Sequence, residues 1–213
     1  VRSRGNGPMI KPSLKLLAVA RSGAAGAEFA MVLPLLILLI LGTIDAGRYM
    51  YTLNQVEKAT QMGARMAVVT NMVPGVPAAQ NCGLTLGQGA PIPTSSFGAA
   101  QCSSSGGTVS CTCVTSPCPT LTPVDTAAFA AITDRMMLIA GILHPNNVTI
   151  RYENSGLGYA GDPTGPDVAP IVTVSATSVS FDPLIGQFFG ISLRFPVVSA
   201  SLTLEDGQGS DSN

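Results

Sequence analysis

The chain has no tryptophan, a single histidine and little charge, with Asp, Glu, Lys and Arg making up 11% of its 213 residues. No acidic residue occurs before Glu28, and no charge of either sign occurs between Arg65 and Asp125. Arg2, Arg4, Lys11, Lys15 and Arg21 all precede Ala24, so the remainder holds six bases against twelve acids, a net −6. Nucleic-acid binding needs a concentrated basic face, and an acidic remainder does not suit it. The lone histidine, His144, is distant in sequence from every cysteine, and the spacings Cys111-x-Cys113 and Cys113-x4-Cys118 are not those of a zinc site. No nucleophile–base pair, paired-carboxylate motif or phosphate loop stands out, so the sequence reads as a non-enzyme without cofactor or metal.

What is present begins with a long apolar run. Phe29 to Ile44 carries no charge, slightly short of the ~20 residues of a spanning helix. The small residues Ala24 to Ala27 bring it to length if Glu28 is tolerated. The upstream bases predict a cytoplasmic N-terminus, with everything after Asp45 on the far side of the membrane. A cleaved secretory signal fits less well, because its basic region would contain Glu28 and the small-residue site Ile44-Asp45-Ala46 has a bulky residue at −3. An ordinary signal-anchor remains the plain alternative. The chain begins with Val1, and a start at Met9 would leave a 15-residue leader ending at Gly23.

Four regions separate by composition. Residues 1–23 form a basic leader. Residues 24–71 read as one long helix, membrane-embedded over about 24–46. Its second half carries Tyr49, Leu53, Val56, Ala59, Gly63 and Ala67 at helical spacing. Pro34 should bend this helix or free a carbonyl near Ala30. Residues 72–123 are uncharged, rich in Pro, Gly, Ser and Thr, and aperiodic, which predicts a long loop. Such loops are uncommon unless functional or stapled, and Cys82, Cys102, Cys111, Cys113 and Cys118 all fall here. Disulfides are their expected fate outside the cytoplasm. Five cysteines leave at least one unpaired or bonded to another chain, and two bonds allow 15 patterns.

Residues 124–213 read as an exported α+β domain. Val124, Ala128, Ile132, Met136, Ile139 and Leu143 predict a second helix over 124–143, started by Asp125 and stopped by His144-Pro145. Alternation predicts strands at Asn147–Glu153, Ile171–Phe181 and Ile191–Leu204, joined as a small antiparallel sheet. The tail from Glu205 is polar.

Several motifs have plain explanations. Gly156-Leu157-Gly158-Tyr159-Ala160-Gly161 fits a dinucleotide fingerprint, but Pro163 and Pro166 follow where a helix must open, so a turn between strands is predicted. Asp162 and Asp167 offer too few oxygens for calcium. Asn147-Val148-Thr149 matters as a sequon only in a eukaryotic secretory route. His144 reads as a helix-end residue near the carbonyl dipole.

Glu28 is the residue that demands an explanation, since a charge at the edge of a bilayer core is costly and needs a partner. It could be a helix-start acid favoured by the dipole. Alternatively, cleavage after Gly23 would create an α-amino group at Ala24. That amine could pair with Glu28 of another subunit and fix the axial register of packed helices.

Arg21-Ser22-Gly23-Ala24-Ala25-Gly26-Ala27-Glu28-Phe29-Ala30-Met31-Val32-Leu33-Pro34-Leu35-Leu36, then Asp45-Ala46-Gly47-Arg48 and Ala59-Thr60-Gln61-Met62-Gly63-Ala64-Arg65, resemble the TadE-like family, pseudopilins of Tad (Flp-type) pilus systems. The resemblance covers roughly residues 21–69. It implies cleavage between Gly23 and Ala24 by a prepilin peptidase, with Glu28 and Phe29 acting in processing or assembly. Pro34 and Arg65 fall where the family commonly has them. It implies a minor pilin or pseudopilin held in the bacterial inner membrane and assembling with other pilin subunits, in a role leading to surface adhesion. The cysteine-rich stretch departs from the family pattern. The alternatives are a permanently anchored exported binding module, either adhesin or receptor, and an anchored exported enzyme.

Overall fold

The structure is a computed structural model that describes residues 14–74, 87–93, 95, 97–118, 121–160 and 169–204, with side chains from residue 23 onward except 188 and 189. Cys82, Gly161, Asp162, Asp167 and residues 1–13 of the leader lie outside the described residues. The chain divides into two compact units, residues 1–47 and 48–213.

The long helix α1 spans Leu14–Val69 and contains Pro34 without ending there. It starts earlier than the expected 24, inside the basic leader, because Leu14 to Ala20 are themselves good helix formers. Over residues 23–40 every side chain is exposed.

In the second unit the composition of α1 changes function. Val56, Ala59, Thr60, Gly63, Ala64, Ala67 and Val68 are buried, and they recur at three- and four-residue spacing as an amphipathic helix requires. Most are small, which lets the helix approach its neighbours closely. A Cβ on Gly63 would lie 2.6 Å from Met136 Sδ and 3.2 Å from Val174 Cγ1. The helix α2, Thr126–Met137, supplies Met136, and Asp125 caps it by accepting the Ala128 amide at 2.9 Å. Asp125 also ties α2 to the end of α1, its amide donating to the Val73 carbonyl at 2.9 Å.

The expected helix over 124–143 stops at Met137. Beyond it the chain turns, with Ile139 and Ala140 amides on the Met136 carbonyl and Leu143 on Ala140. Ala140 and Leu143 remain buried there, so the apolar spacing outruns the helix that it suggested.

The stretch expected as one loop, 72–123, instead carries a hairpin. Strand β1, Ala99–Ser105, pairs antiparallel with β2, Thr108–Thr115. Gly106 and Gly107 join them with φ of 59° and 85°, the positive values that a tight two-residue hairpin turn needs. Strands β3, Val148–Glu153, and β4, Ile171–Ala176, follow. The last two predicted strands are each interrupted. The first gives β4 and the short β5, Ser180–Phe181. The second gives the short β6, Leu193–Arg194, and β7, Val198–Thr203. Between them lies the six-residue helix α3, Leu184–Phe189. The result is a five-stranded antiparallel sheet in the order β2-β1-β3-β4-β7, with β5 and β6 paired separately. The class is α+β, as expected.

Alternation decides the two faces of the sheet. Val148, Ile150 and Tyr152 of β3 and Val172, Val174 and Ala176 of β4 are buried. The opposite face is hydroxyl-rich, one cross-strand row running Ser110, Ser103, Thr149, Ser175 and Ser199. Tyr152 accepts the Val73 amide at 3.2 Å on its phenol oxygen, which anchors the exit of α1 to the sheet. Burial holds that phenol well above its ordinary pKa, the nearby Asp125 charge acting in the same direction and the Val73 hydrogen bond opposing.

Two outcomes follow. Gly63→Leu should destabilise the second unit by about 1–3 kcal/mol through overpacking against Met136 and Val174, read as a lower thermal midpoint of the detergent-solubilised chain. Unfolded tyrosine ionises near a pKa of about 10 and buried Tyr152 resists doing so. Stability present below that pH should therefore fall as pH rises above it, and Tyr152→Phe should flatten this loss in alkaline denaturation.

Candidate assembly surface

Residues 23–40 of α1 present an apolar surface on all sides. Phe29 is 65% exposed, Met31 75%, Leu35 71% and Leu39 65%. The helix from Gly23 is long and apolar enough to cross a membrane. Glu28 lies exposed among these side chains. Residues three and four apart are neighbours on a helix, so Ala24, Ala25, Met31 and Val32 surround Glu28. Cβ atoms added at Gly23 or Gly26 would meet nothing within 4 Å, which leaves this small-residue turn open to close approach by another helix. The Gly23–Ala24 bond lies inside α1 rather than in an extended leader.

The second unit carries a different surface feature. A groove of about 700 Å3 is lined by Arg48 and Gln55 of α1, His144 and Asn147 after α2, and Asp182 and Gln187 near α3. The Arg48 guanidinium lies 5.4 Å from the Phe181 ring centroid, within cation–π range. Phe181 in turn packs with Tyr49 and Phe195 at centroid distances of 5.6 and 5.8 Å, and those two rings lie 4.8 Å apart. Nothing local in the sequence joins His144 to Arg48, which lie far apart along the chain.

The sequon does not fit its structural role. Asn147 Nδ2 already donates to the carbonyls of Thr177 and Ser178, both at 3.2 Å. It organises the turn in which Ser178 holds a φ of 56°. Gly156 and Gly158 have φ of 72° and 128° and lie between β3 and β4. Gly158 accepts the Ile92 amide at 3.1 Å, consistent with a turn rather than a phosphate cradle. Among the described residues no group of His, Cys, Asp and Glu gathers as a metal site.

Four of the five cysteines form two disulfides. Cys102–Cys111 joins directly opposed residues of β1 and β2, and Cys113–Cys118 closes the chain after β2. The first lies at the core edge of the sheet, with Cys102 fully buried. Gly98 fits between these elements, since a Cβ there would lie 1.9 Å from the Thr115 carbonyl oxygen.

An exposed apolar N-terminal helix, long enough to cross a membrane, thus continues into a stretch that packs in an α+β unit. The family model described as TadE-like protein matches residues 23–65, so this stretch of the chain is TadE-like. The match begins at Gly23, includes Glu28 and Pro34, and ends at Arg65 after the buried face around Gly63. The match covers 43 of the 213 residues, and the likeness is that of this stretch. No characterised protein and no solved structure matches the chain.

Replacing Cys102 and Cys111 together by Ala should cost about 2–4 kcal/mol of stability, the usual worth of a native bridge. Replacing Cys113 and Cys118, which close a shorter loop, should cost less. Denaturant unfolding of the two double variants under oxidising conditions measures both.

Proposed function

We propose that the protein is a minor pilin or pseudopilin of a Tad (Flp-type) pilus, acting structurally in assembly, priming or the tip and thereby in surface adhesion. The observation that carries this reading is the TadE-like match over residues 23–65 on a helix whose first half is apolar and exposed. The N-terminus lies in the cytoplasm and the sheet domain in the periplasm or outside. The inner membrane holds the subunit until its helix packs among those of other pilin subunits.

Prepilin peptidase cleaves between Gly23 and Ala24. Glycine costs a helix about 1 kcal/mol relative to alanine, so Gly23 and Gly26 make this turn of α1 easier to open than the apolar run after it. Cleavage leaves the Ala24 ammonium one turn before Glu28. A charge costs about 2.5–3.5 kcal/mol at the centre of a membrane helix and less at its edge, where Glu28 lies, and the ammonium of a neighbouring subunit offsets this when two helices lie in register. Phe29 and Pro34 then belong to the same packing surface. Pro34 lacks an amide, and a free carbonyl one turn earlier is tolerated in lipid where a neighbouring group satisfies it.

The groove around Arg48 and His144 favours a second reading, a permanently anchored binding module. N-terminal sequence and intact mass of the membrane-extracted protein separate the two. We expect a terminus at Ala24 in cells with the prepilin peptidase and an intact leader in cells without it. An intact leader in both strains would sink the pilus reading in favour of the anchored module.

A further inference from the structure

Both edges of the five-stranded sheet end on uncharged strands. Strand β7 pairs with β4 in continuous register, and the Leu204 amide donates to the Pro170 carbonyl at 2.9 Å. In an antiparallel ladder bonded and non-bonded pairs alternate. The even-numbered residues of β7 therefore bond to β4, while the amides and carbonyls of Ser199, Ser201 and Thr203 point away from the sheet. These three residues are exposed, and among the described residues β7 has β4 as its one strand partner. Leu202, on the core-side face, is 40% exposed.

Monomeric proteins blunt such an edge with lysine, proline, a bulge or a covering segment. Within Val198–Thr203 there is no charge and no proline, and the pairing with β4 has no bulge. The other edge, β2, is bulged at Val114, where Ala99 and Ala100 face Thr115 and Cys113. Before the bulge, Thr108 to Cys113 forms an uncharged edge in continuous register, as long as β7 itself.

We propose that β7 pairs with the β2 edge of a second copy of this chain, head to tail, extending the sheet from subunit to subunit. The inference rests on the pilus-subunit reading for its direction. Every neighbouring pair in the sheet is antiparallel, so β2 and β7, at opposite ends of the order, run in the same sense. Joining them keeps successive copies in one orientation, as subunits anchored in one membrane require. A twofold β7–β7 pair would reverse the second copy together with the α1 packed on its sheet. Translation also matches the faces. In one register Ser201 and Thr203 adjoin Ser110 and Thr112 on the hydroxyl side, while Ala200 and Leu202 adjoin Val109 and Cys111 on the other, and no like charges meet. A head-to-tail contact of this kind is open-ended, as a filament needs.

The test uses the full-length protein in its own membrane with a photoreactive benzoylphenylalanine at Ser199. Irradiation should give a species of twice the mass, linking position 199 to a peptide spanning Thr108 to Cys113 of the second copy. Ser201→Pro removes an outward amide and leaves the β4 ladder intact, so the cross-link should fall about tenfold, equivalent to 1.4 kcal/mol, while the Cys102–Cys111 disulfide persists. Ser201→Lys should act alike, and Ala200→Pro, which removes an inward amide, should lose the fold. A link to β7 of the second copy, a link to a different protein, or an undiminished link in both Ser201 variants overturns the proposal. The N-terminus of the same sample separates the two inferences. An Ala24 terminus without a cross-link defeats the edge contact alone, and a cross-link on uncleaved protein defeats the pilus reading alone.

Discussion

Close approach of a small-residue helix face to a sheet is the constraint on which the second unit depends. A side chain at Gly63 would press on Met136 of α2 and Val174 of β4, which would have to shift to make room. Ala59, Ala64 and Ala67 line the same buried face. Asp125 and Tyr152 then fix the exit of the helix, one through its backbone bond to Val73 and one through its phenol. A buried tyrosine oxygen and a helix cap thus act on the same short segment.

The first half of the same helix obeys the opposite rule. Its side chains are as apolar as a core and none is covered between residues 23 and 40. Such a surface is stable in lipid or against other helices and unfavourable in water, at about 25 cal/mol per Å2 of apolar area. One element therefore carries two solvation regimes. The TadE-like match spans the boundary between them, so the family pattern records the whole transition from exposed anchor to packed stem. The single acid in the exposed half, Glu28, is meaningful because its surroundings are so uniform.

The cysteine-rich stretch shows a different way of stabilising structure. It has no charge, and its β1–β2 hairpin has small polar residues where strands usually bury large ones. A disulfide between opposed residues and a second one from Cys113 of β2 to Cys118 after it compensate for that thin packing. The face that the sheet turns to solvent is almost entirely hydroxyl, with Arg151 and Glu153 as an ion pair within it.

Hydrophobic periodicity was enough to determine the exposed anchor, the buried face of α1, the start of α2 at Asp125 and the alternation of β3 and β4. Each depends on interactions within one element or on a contrast in solvation. The hairpin was also written locally, in Gly106-Gly107 between two short runs, but its flanks of Ser, Cys and Thr lack the apolar alternation that marks a strand. The end of α2 at Met137 and the division of the later strands into β4 with β5 and β6 with β7 were not readable. Buried turns at Ala140 and Leu143 keep the helical spacing without the helix. Only tertiary structure chose the disulfide pairs, set the strand order, gathered Arg48, His144 and Asp182 around one groove, and left β2 and β7 as edges. Those outcomes depend on which segments meet across long separations, and no local propensity encodes that meeting.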